Sequence, residues 1–367
     1  MFSLSSSDFY SLNPILEKGA QYNLIIGERS NGKTYASLKY GLERFVETGQ
    51  QMAYLRRWKE DYRGKRGETL FASLVANDEV SQLTDGKFTR ISYYSGKWYL
   101  ANYDEKLDKI IRAPEPFCYA FALSDMEHDK STSYPNITTI VFDEFLTRTY
   151  YLVNEFVLFM NVLSTIIRHR DNVKIFMLGN TVNKYCPYFK EMGLKHVETM
   201  EQGAIDVYRY GNSDLKVAVE YCAPIKKEGK KSDIYFTFDS PSLAMITGGA
   251  WEIDIYPHCP RKYTKNDVVF EYFIDFDDHL LHGEVVVLDD CTFTFIHEKT
   301  TDLKHPDTDL VYSSNYDPRP NYVRNLTHPI NEATKNVYKY FKEEKVYYQD
   351  NEVGELVRNY LNTCKNG

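Results

Sequence analysis

The residues best able to do chemistry are Gly27-Glu28-Arg29-Ser30-Asn31-Gly32-Lys33-Thr34, a complete G-x-x-x-x-G-K-[ST] stretch. An apolar run, Tyr22 to Ile26, precedes it, and Tyr35 to Tyr40 follow with helix-forming character, so it sits where a buried strand turns into a helix. That is the context a phosphate-binding loop requires. Gly27 and Gly32 let the backbone curl until its N–H groups and the helix N-terminus point at phosphate oxygens. Glu28, Arg29, Ser30 and Asn31 complete the cradle, with Arg29 an unusual occupant that could sense the nucleotide in cis. Lys33 reaches the β- and γ-phosphates as a mobile charge, and the Thr34 hydroxyl takes a place in a Mg²⁺ shell. With Gly at about 7% of average usage, a chance match in a chain this long is on the order of one in a hundred. A bound nucleoside triphosphate with Mg²⁺ is therefore expected.

A second group of candidates follows about one hundred residues later. Thr138-Thr139-Ile140-Val141-Phe142 is a buried strand ending in the adjacent carboxylates Asp143-Glu144. After a phosphate loop this resembles the Walker B strand of the additional-strand, catalytic-glutamate ATPases. Asp143 would hold Mg²⁺ through water, and Glu144 would orient the attacking water. The strand Val173–Leu178 stops at Gly179-Asn180-Thr181. Asn180 is either a sensor of the γ-phosphate or an ordinary turn residue.

These residues need a scaffold, and the hydrophobic pattern supplies one: an α/β fold with a mainly parallel sheet. Thr34–Val46 reads as a helix ended by Gly49, followed by the short strand Met52–Leu55. Residues 60–112 are polar and mixed, and read as an insertion outside the core, with a hairpin over Phe88–Leu100 closed near Ser95-Gly96. Phe117–Leu123 is another buried strand. Val153, Phe156, Val157, Met160, Leu163, Ile166 and Ile167 recur at helical spacing, giving a long helix that ends in Arg168-His169-Arg170. Its apolar stripe reads as core. Residues 1–20 form a lead-in that could lie against the nucleotide base.

With 367 residues, 43% of them hydrophobic, the chain can bury two cores. The six cysteines are scattered without a C-x-x-C pair, so buried thiols are expected rather than disulfides or zinc. The chain carries no apolar stretch of membrane-spanning length, and its N-terminus lacks the pattern of a signal peptide, so the reading is cytosolic, with no membrane partner. A net charge of −8 argues against coating nucleic acid with the whole surface. The acidity concentrates between Trp251 and Leu310, leaving local basic clusters elsewhere, at Arg56–Arg66 and Lys226–Lys231.

Taken together, GERSNGKT, VFDEF, a helix ending RHR, the strand ending FMLGNT and a smaller second domain resemble the DNA-encapsidation ATPases of phi29-like podophages. The motifs cover residues 20–200, and layout and length cover the rest. The resemblance implies a P-loop ATPase domain over residues 1–222, a linker over 223–250, and over 251–367 an α+β domain related to RNase H-like nucleases but without catalysis. It implies a homo-oligomeric ring, a pentamer, that drives double-stranded DNA through the portal of a prohead in the host cytoplasm and is absent from the mature virion. In such rings an arginine from one subunit completes the neighbour's site, and Arg170, then Arg168, are the candidates here. DNA grip must be electrostatic because a packaging motor handles every sequence, and Arg63, Lys65, Arg66 and Lys130 are the candidate contacts. The acidic second domain would face the portal, other subunits or a structural packaging RNA.

Two other readings stay open at this stage. A terminase-like enzyme would also cut DNA, using two metals held by Asp275, Asp277, Asp278, Asp289 and Asp290, although acidic turns between strands look the same. A non-translocating nucleotide-binding assembly factor would need no Glu144.

Overall fold

The strand before the phosphate loop is β1 (Tyr22–Gly27), buried on both faces. In the computed structural model, which describes residues 10–128, 132–148, 151–223, 251, 256–259 and 261–364, it lies inside a ten-stranded sheet. The other strands are β2 (Gln51–Arg56), β3 (Arg90–Tyr94), β4 (Lys97–Asp104), β5 (Lys109–Arg112), β6 (Cys118–Ala122), β7 (Ile137–Asp143), β8 (Lys174–Asn180), β9 (Ile205–Arg209) and β10 (Lys216–Tyr221). The order is β3-β4-β6-β2-β7-β8-β1-β10-β9, with β5 on the outer side of β4. From β6 to β10 every neighbouring pair is parallel. Strands in such a sheet are covered on both faces, which is why they read as continuous apolar runs rather than alternating ones.

A parallel sheet also gathers the C-terminal ends of its strands at one edge. Gly27, Arg56, Asp143 and Asn180 are the last residues of β1, β2, β7 and β8. Ligands of open α/β sheets bind outside that edge.

Short helices α1 (Asn13–Leu16), α3 (Lys65–Thr69), α4 (Ala72–Ala76), α5 (Glu79–Leu83) and α7 (Pro187–Glu191) accompany the longer α2 (Lys33–Thr48) and α6 (Glu155–Ile167). Helix α2 ends at Gly49 in the left-handed conformation, whose N–H bonds the Phe45 carbonyl. Helix α6 begins two residues later than its pattern suggests and buries Phe159, Val162, Leu163 and Ile166. Val157 and Met160 of the same stripe are exposed, so the stripe is core on one side only.

Residues 60–112 are not an insertion outside the core. The hairpin forms as expected, with Ser95 and Gly96 both at positive φ, but its strand β4 pairs with β6 and extends the main sheet. Trp98 is fully buried against Phe71 and Tyr54, and its indole N–H donates to the Gly67 carbonyl at 2.7 Å. The segment looked polar because β4 and β3 show only one face to the core.

The chain divides into two compact units, residues 1–148 with 154–251, and residues 149–153 with 252–367. The expected linker, beyond Ala223, lies outside the described residues. The second unit holds a mixed sheet ordered β15-β14-β11-β12-β13-β16. Its strands are β11 (Val268–Phe276), β12 (His279–Val287), β13 (Thr292–Glu298), β14 (Val311–Ser313), β15 (Tyr322–Val323) and β16 (Val346–Tyr348). The first three form an antiparallel meander. Helices α8 (Glu332–Lys342) and α9 (Asn351–Cys364) follow, α8 opened by a capping box in which the Asn331 side chain accepts from the Thr334 N–H.

Candidate nucleotide site

The phosphate loop runs from the end of β1 into α2, with Ser30 at φ 60° and Gly32 at φ 95°. The second value is open only to glycine at low cost. Gly27 is needed for another reason: a Cβ there would lie 2.8 Å from the Cβ of Cys222. Burial pushes the Cys222 thiol up to about 12, so it serves as packing rather than as a nucleophile. The Asn31 side chain accepts from the Lys33 N–H at 3.1 Å and holds the turn.

Lys33 is buried, and its ammonium donates to the Glu28 carbonyl at 2.7 Å, the Gly27 carbonyl at 3.4 Å and the Asn180 amide oxygen at 3.3 Å. Burial lowers its pKa from the usual lysine value. Three neutral acceptors hold the charge in place without cancelling it, which leaves it available to an anion. The Thr34 hydroxyl meets the two Asp143 oxygens at 3.3 and 3.4 Å. These are hard oxygen donors of the kind Mg²⁺ takes. Burial raises the Asp143 carboxyl above its usual range, Glu144 adds to the effect, and Arg56 opposes it. A site that raises the cost of carboxylate charge favours an arriving cation.

Two residues of β2 complete the acidic end, and the sequence reading missed both. The Tyr54 hydroxyl donates to Asp143 at 3.0 Å. Arg56 donates to Glu144 at 2.5 Å and lies 3.7 Å from Asp143. In sequence Arg56 belongs to a basic cluster, yet in space it sits at the two carboxylates. Its position at the C-terminal end of a parallel strand beside β7 is the signal that could have found it. Glu144 itself is at φ 59°, an uncommon conformation for a side chain of this size and one that clusters at functional sites. Arg57 supports that backbone: it donates to the Glu144 and Phe145 carbonyls and forms a buried pair with Glu155 at 2.7 Å, which Tyr188 also bonds.

A cleft of about 1110 Å³ opens over these groups. It is lined by Ser30 to Ala36, Asp143, Glu144 and Asn180, and on another side by Tyr10 to Asn13 from the lead-in. The lead-in is anchored there, since the Tyr10 N–H donates to the Asn31 carbonyl and its hydroxyl to Glu220.

Residues 4–232 match the family model of the podovirus DNA encapsidation protein (Gp16). The chain belongs to that family. It is 32% identical over 192 residues to the DNA packaging protein of Bacillus phage phi29, covering 51% of this chain and 50% of that protein. The counterpart in Bacillus phage B103 is 32% identical over 175 residues, 47% of this chain and 48% of that one. The chain thus spans about half the length of the curated relatives it matches. Among solved structures, the Phi-28 gp11 DNA packaging motor aligns over 98% of this chain and 99% of its own with a TM-score of 0.56 and 18% identity. The phi29 genome packaging motor assembly aligns over 96% and 97%, with a TM-score of 0.55 and 22% identity. These likenesses show a shared fold.

The remaining candidates of this encapsidation-family chain lie elsewhere. Arg170 donates to the carbonyls of Ile166 at 2.6 Å, Ile167 at 3.3 Å, Tyr134 at 3.1 Å, Pro135 at 2.9 Å and Ile137 at 2.6 Å. It ties the end of α6 to the start of β7. Asp143 is at the other end of that seven-residue strand, about 20 Å away by strand rise. Arg168 is exposed and donates to the Thr132 carbonyl. Arg170 therefore cannot reach the phosphate loop of its own chain. Arg29, Arg63, Lys65 and Arg66 are exposed, Arg66 near Asp61, and Lys130 lies outside the described residues.

The aspartates between 275 and 290 do not converge. Asp277 and Asp278 form the turn between β11 and β12, and Asp289 and Asp290 follow the far end of β12. A nine-residue strand separates the turns by about 30 Å, whereas two-metal sites place their ions about 4 Å apart. Asp290 is paired with Arg261 at 2.7 Å, and Asp275 accepts from Ser313. The two-metal reading fails on this geometry.

No described helix is long and apolar enough to cross a membrane.

Proposed function

We propose that the chain is an ATP-driven double-stranded DNA translocase that packages a viral genome into a preformed prohead through its portal. One observation carries this: in a member of the encapsidation family, Lys33, Thr34, Asp143, Glu144 and Asn180 converge at the C-terminal edge of one parallel sheet. The loop N–H groups and Lys33 hold the ATP phosphates, and Asn180, already bonded to Lys33, changes partner when a γ-phosphate arrives. Thr34 and Asp143 would hold Mg²⁺, which would supply neutralisation of phosphate charge. Glu144 orients the attacking water once its ion pair with Arg56 opens, so that pair couples substrate arrival to turnover. In-line attack then breaks the terminal phosphoanhydride bond and gives ADP and phosphate.

The site is half of a composite one. Arg170, about a strand's length from its own Asp143, or the exposed Arg168, is suited to the site of the next copy in a homo-oligomeric ring, a pentamer by family likeness. Arg63, Lys65 and Arg66, with Lys130, grip the DNA backbone, and residues 223–250 join the ATPase domain to the second one. That domain, acidic and without a converged metal pair, contacts the portal, neighbouring subunits or a packaging RNA. The protein works in the host cytoplasm during assembly and leaves before the virion matures.

The test is ATP hydrolysis with and without double-stranded DNA and portal-bearing proheads. Strong stimulation by the assembled complex is expected. Equal turnover of the free chain and the complex would overturn the motor reading in favour of a generic ATPase.

A further inference from the structure

A group of metal-ligating side chains lies outside the nucleotide site, on the β11–β12–β13 meander. Pairing register sets Glu271 opposite Glu284 and His282 opposite His297. His282 and Glu284 are two residues apart on one strand and share a face, so the four side chains form a single patch across three strands. One ligand atom from each of His282, Glu284 and His297 lies within 4.8 Å of the others, the one such group among the described residues. An oxygen of Glu271 is 3.7 Å from His282 Nε2.

Several features of this patch do not follow from packing. Glu271 and Glu284 are like charges directly opposite each other, an arrangement that destabilises a sheet unless something neutralises it. His282 Nε2 is buried without a hydrogen-bond partner. The His297 Nδ1 is 3.0 Å from the Glu298 carbonyl, so it carries the ring proton and leaves the Nε2 lone pair free. The Tyr263 hydroxyl donates to one oxygen of Glu284 and leaves the other available. Phe273 and Phe295 stack on His282 and His297 at 4.8 and 5.7 Å between ring centres, which fixes both imidazoles. Outer partners of this kind orient ligands around metals.

We propose that His282, Glu284 and His297 bind a divalent first-row transition metal of the Zn²⁺ class, with Glu271 as fourth ligand. Two imidazoles with carboxylates are a donor set for Zn²⁺ and its neighbours, and not for Mg²⁺ or Ca²⁺, which take oxygen. Bonds of about 2.0–2.2 Å place tetrahedral ligands roughly 3.4 Å apart. The side chains must draw in by about 1.5 Å at the widest separation, and the exposed Glu271 swings in from the rim. The ion would neutralise the facing glutamates and tie the three strands together. It would share no residue with the nucleotide site or with the acidic turns.

The test is titration of the full-length, chelator-treated chain with Co²⁺ alone, followed by visible absorption. One Co²⁺ per chain is expected, with the intense d–d bands of a four-coordinate site, displaced by Zn²⁺. His282→Gln and His297→Gln should each weaken binding by more than about 100-fold, and Tyr263→Phe by about 10-fold. Asp143→Asn, which alters the nucleotide site, should leave these bands in place. Circular dichroism of the metal-free variants, matching the parent, shows that they fold. Binding unchanged within threefold in both histidine variants, no binding by the parent, or near-ultraviolet thiolate bands marking cysteine ligands would each overturn the proposal.

Discussion

Two regions of this molecule carry dense acidic residues, and they end up in opposite situations. In the first unit, Asp143 and Glu144 meet Lys33, Thr34, Arg56 and Asn180 around one cleft. In the second, the aspartates between 275 and 290 scatter to opposite ends of a hairpin. The difference is topological. A parallel sheet sends every strand end to the same edge, so residues far apart in sequence converge there. An antiparallel meander alternates direction, so residues close in sequence are carried a strand's length apart. Density of carboxylates along a chain is thus a poor guide to a site, whereas position at the end of a parallel strand is a good one.

The contrast can be broken most directly at Glu144. Glu144→Gln should leave ATP binding intact and reduce hydrolysis by about 10³-fold, the scale of a lost general base, as read by nucleotide binding beside phosphate release. Undiminished hydrolysis would remove the catalytic assignment of Glu144.

The proposed composite site is the next target. Arg170→Ala and Lys33→Ala subunits should each be inactive in homogeneous rings, and mixing them should restore part of the activity through interfaces that keep one intact site. No rescue, with both variants folded and assembled, would count against a trans arginine. Because Arg170 also holds five carbonyls, its melting temperature must be measured alongside, and Arg168→Ala, at an exposed position, serves as the milder probe.

Arg56 sharpens the comparison further. Arg56→Ala should lower turnover by about 10- to 100-fold, because Asp143 and Glu144 lose the cation that sets their geometry; Arg56→Lys should rescue little, since an ammonium lacks the planar fork. Steady-state rates at saturating ATP would check this, and a wild-type rate for Arg56→Lys would show that charge alone suffices. The smallest effect is expected in the second unit. Asp277→Ala and Asp290→Ala should change metal-dependent cleavage of supercoiled plasmid by less than twofold from background, and a cleavage activity lost on Asp277→Ala would show that the two acidic turns are not as inert as their separation implies.

Much of this was legible in the residues. The loop Gly27–Thr34, the strand ending Asp143-Glu144 and the tip at Asn180 each carry a local signature, because backbone curvature, apolar runs and turn chemistry are short-range properties. Helix α6 and the hairpin at Ser95-Gly96 were readable for the same reason. The expected status of residues 60–112 was not, since whether β4 joins the main sheet depends on pairing with β6, and single-sided burial leaves no continuous apolar run. Nor was the part played by Arg56, which in sequence belongs to a basic run and in space to an acidic pair.

What the sequence determined by itself was therefore the chemistry of the phosphate cradle and the identity of its acidic partners. The roles proposed for them rest on residue type and local backbone form. What only the tertiary structure decided was who meets whom: Arg56 and Tyr54 at the carboxylates, Arg170 a strand's length from its own Asp143, two acidic turns that never meet, and two histidines and two glutamates gathered on one face of three strands. The reason is that strand order and direction are set by long-range pairing, and no local pattern encodes the distance between two ends of a sheet.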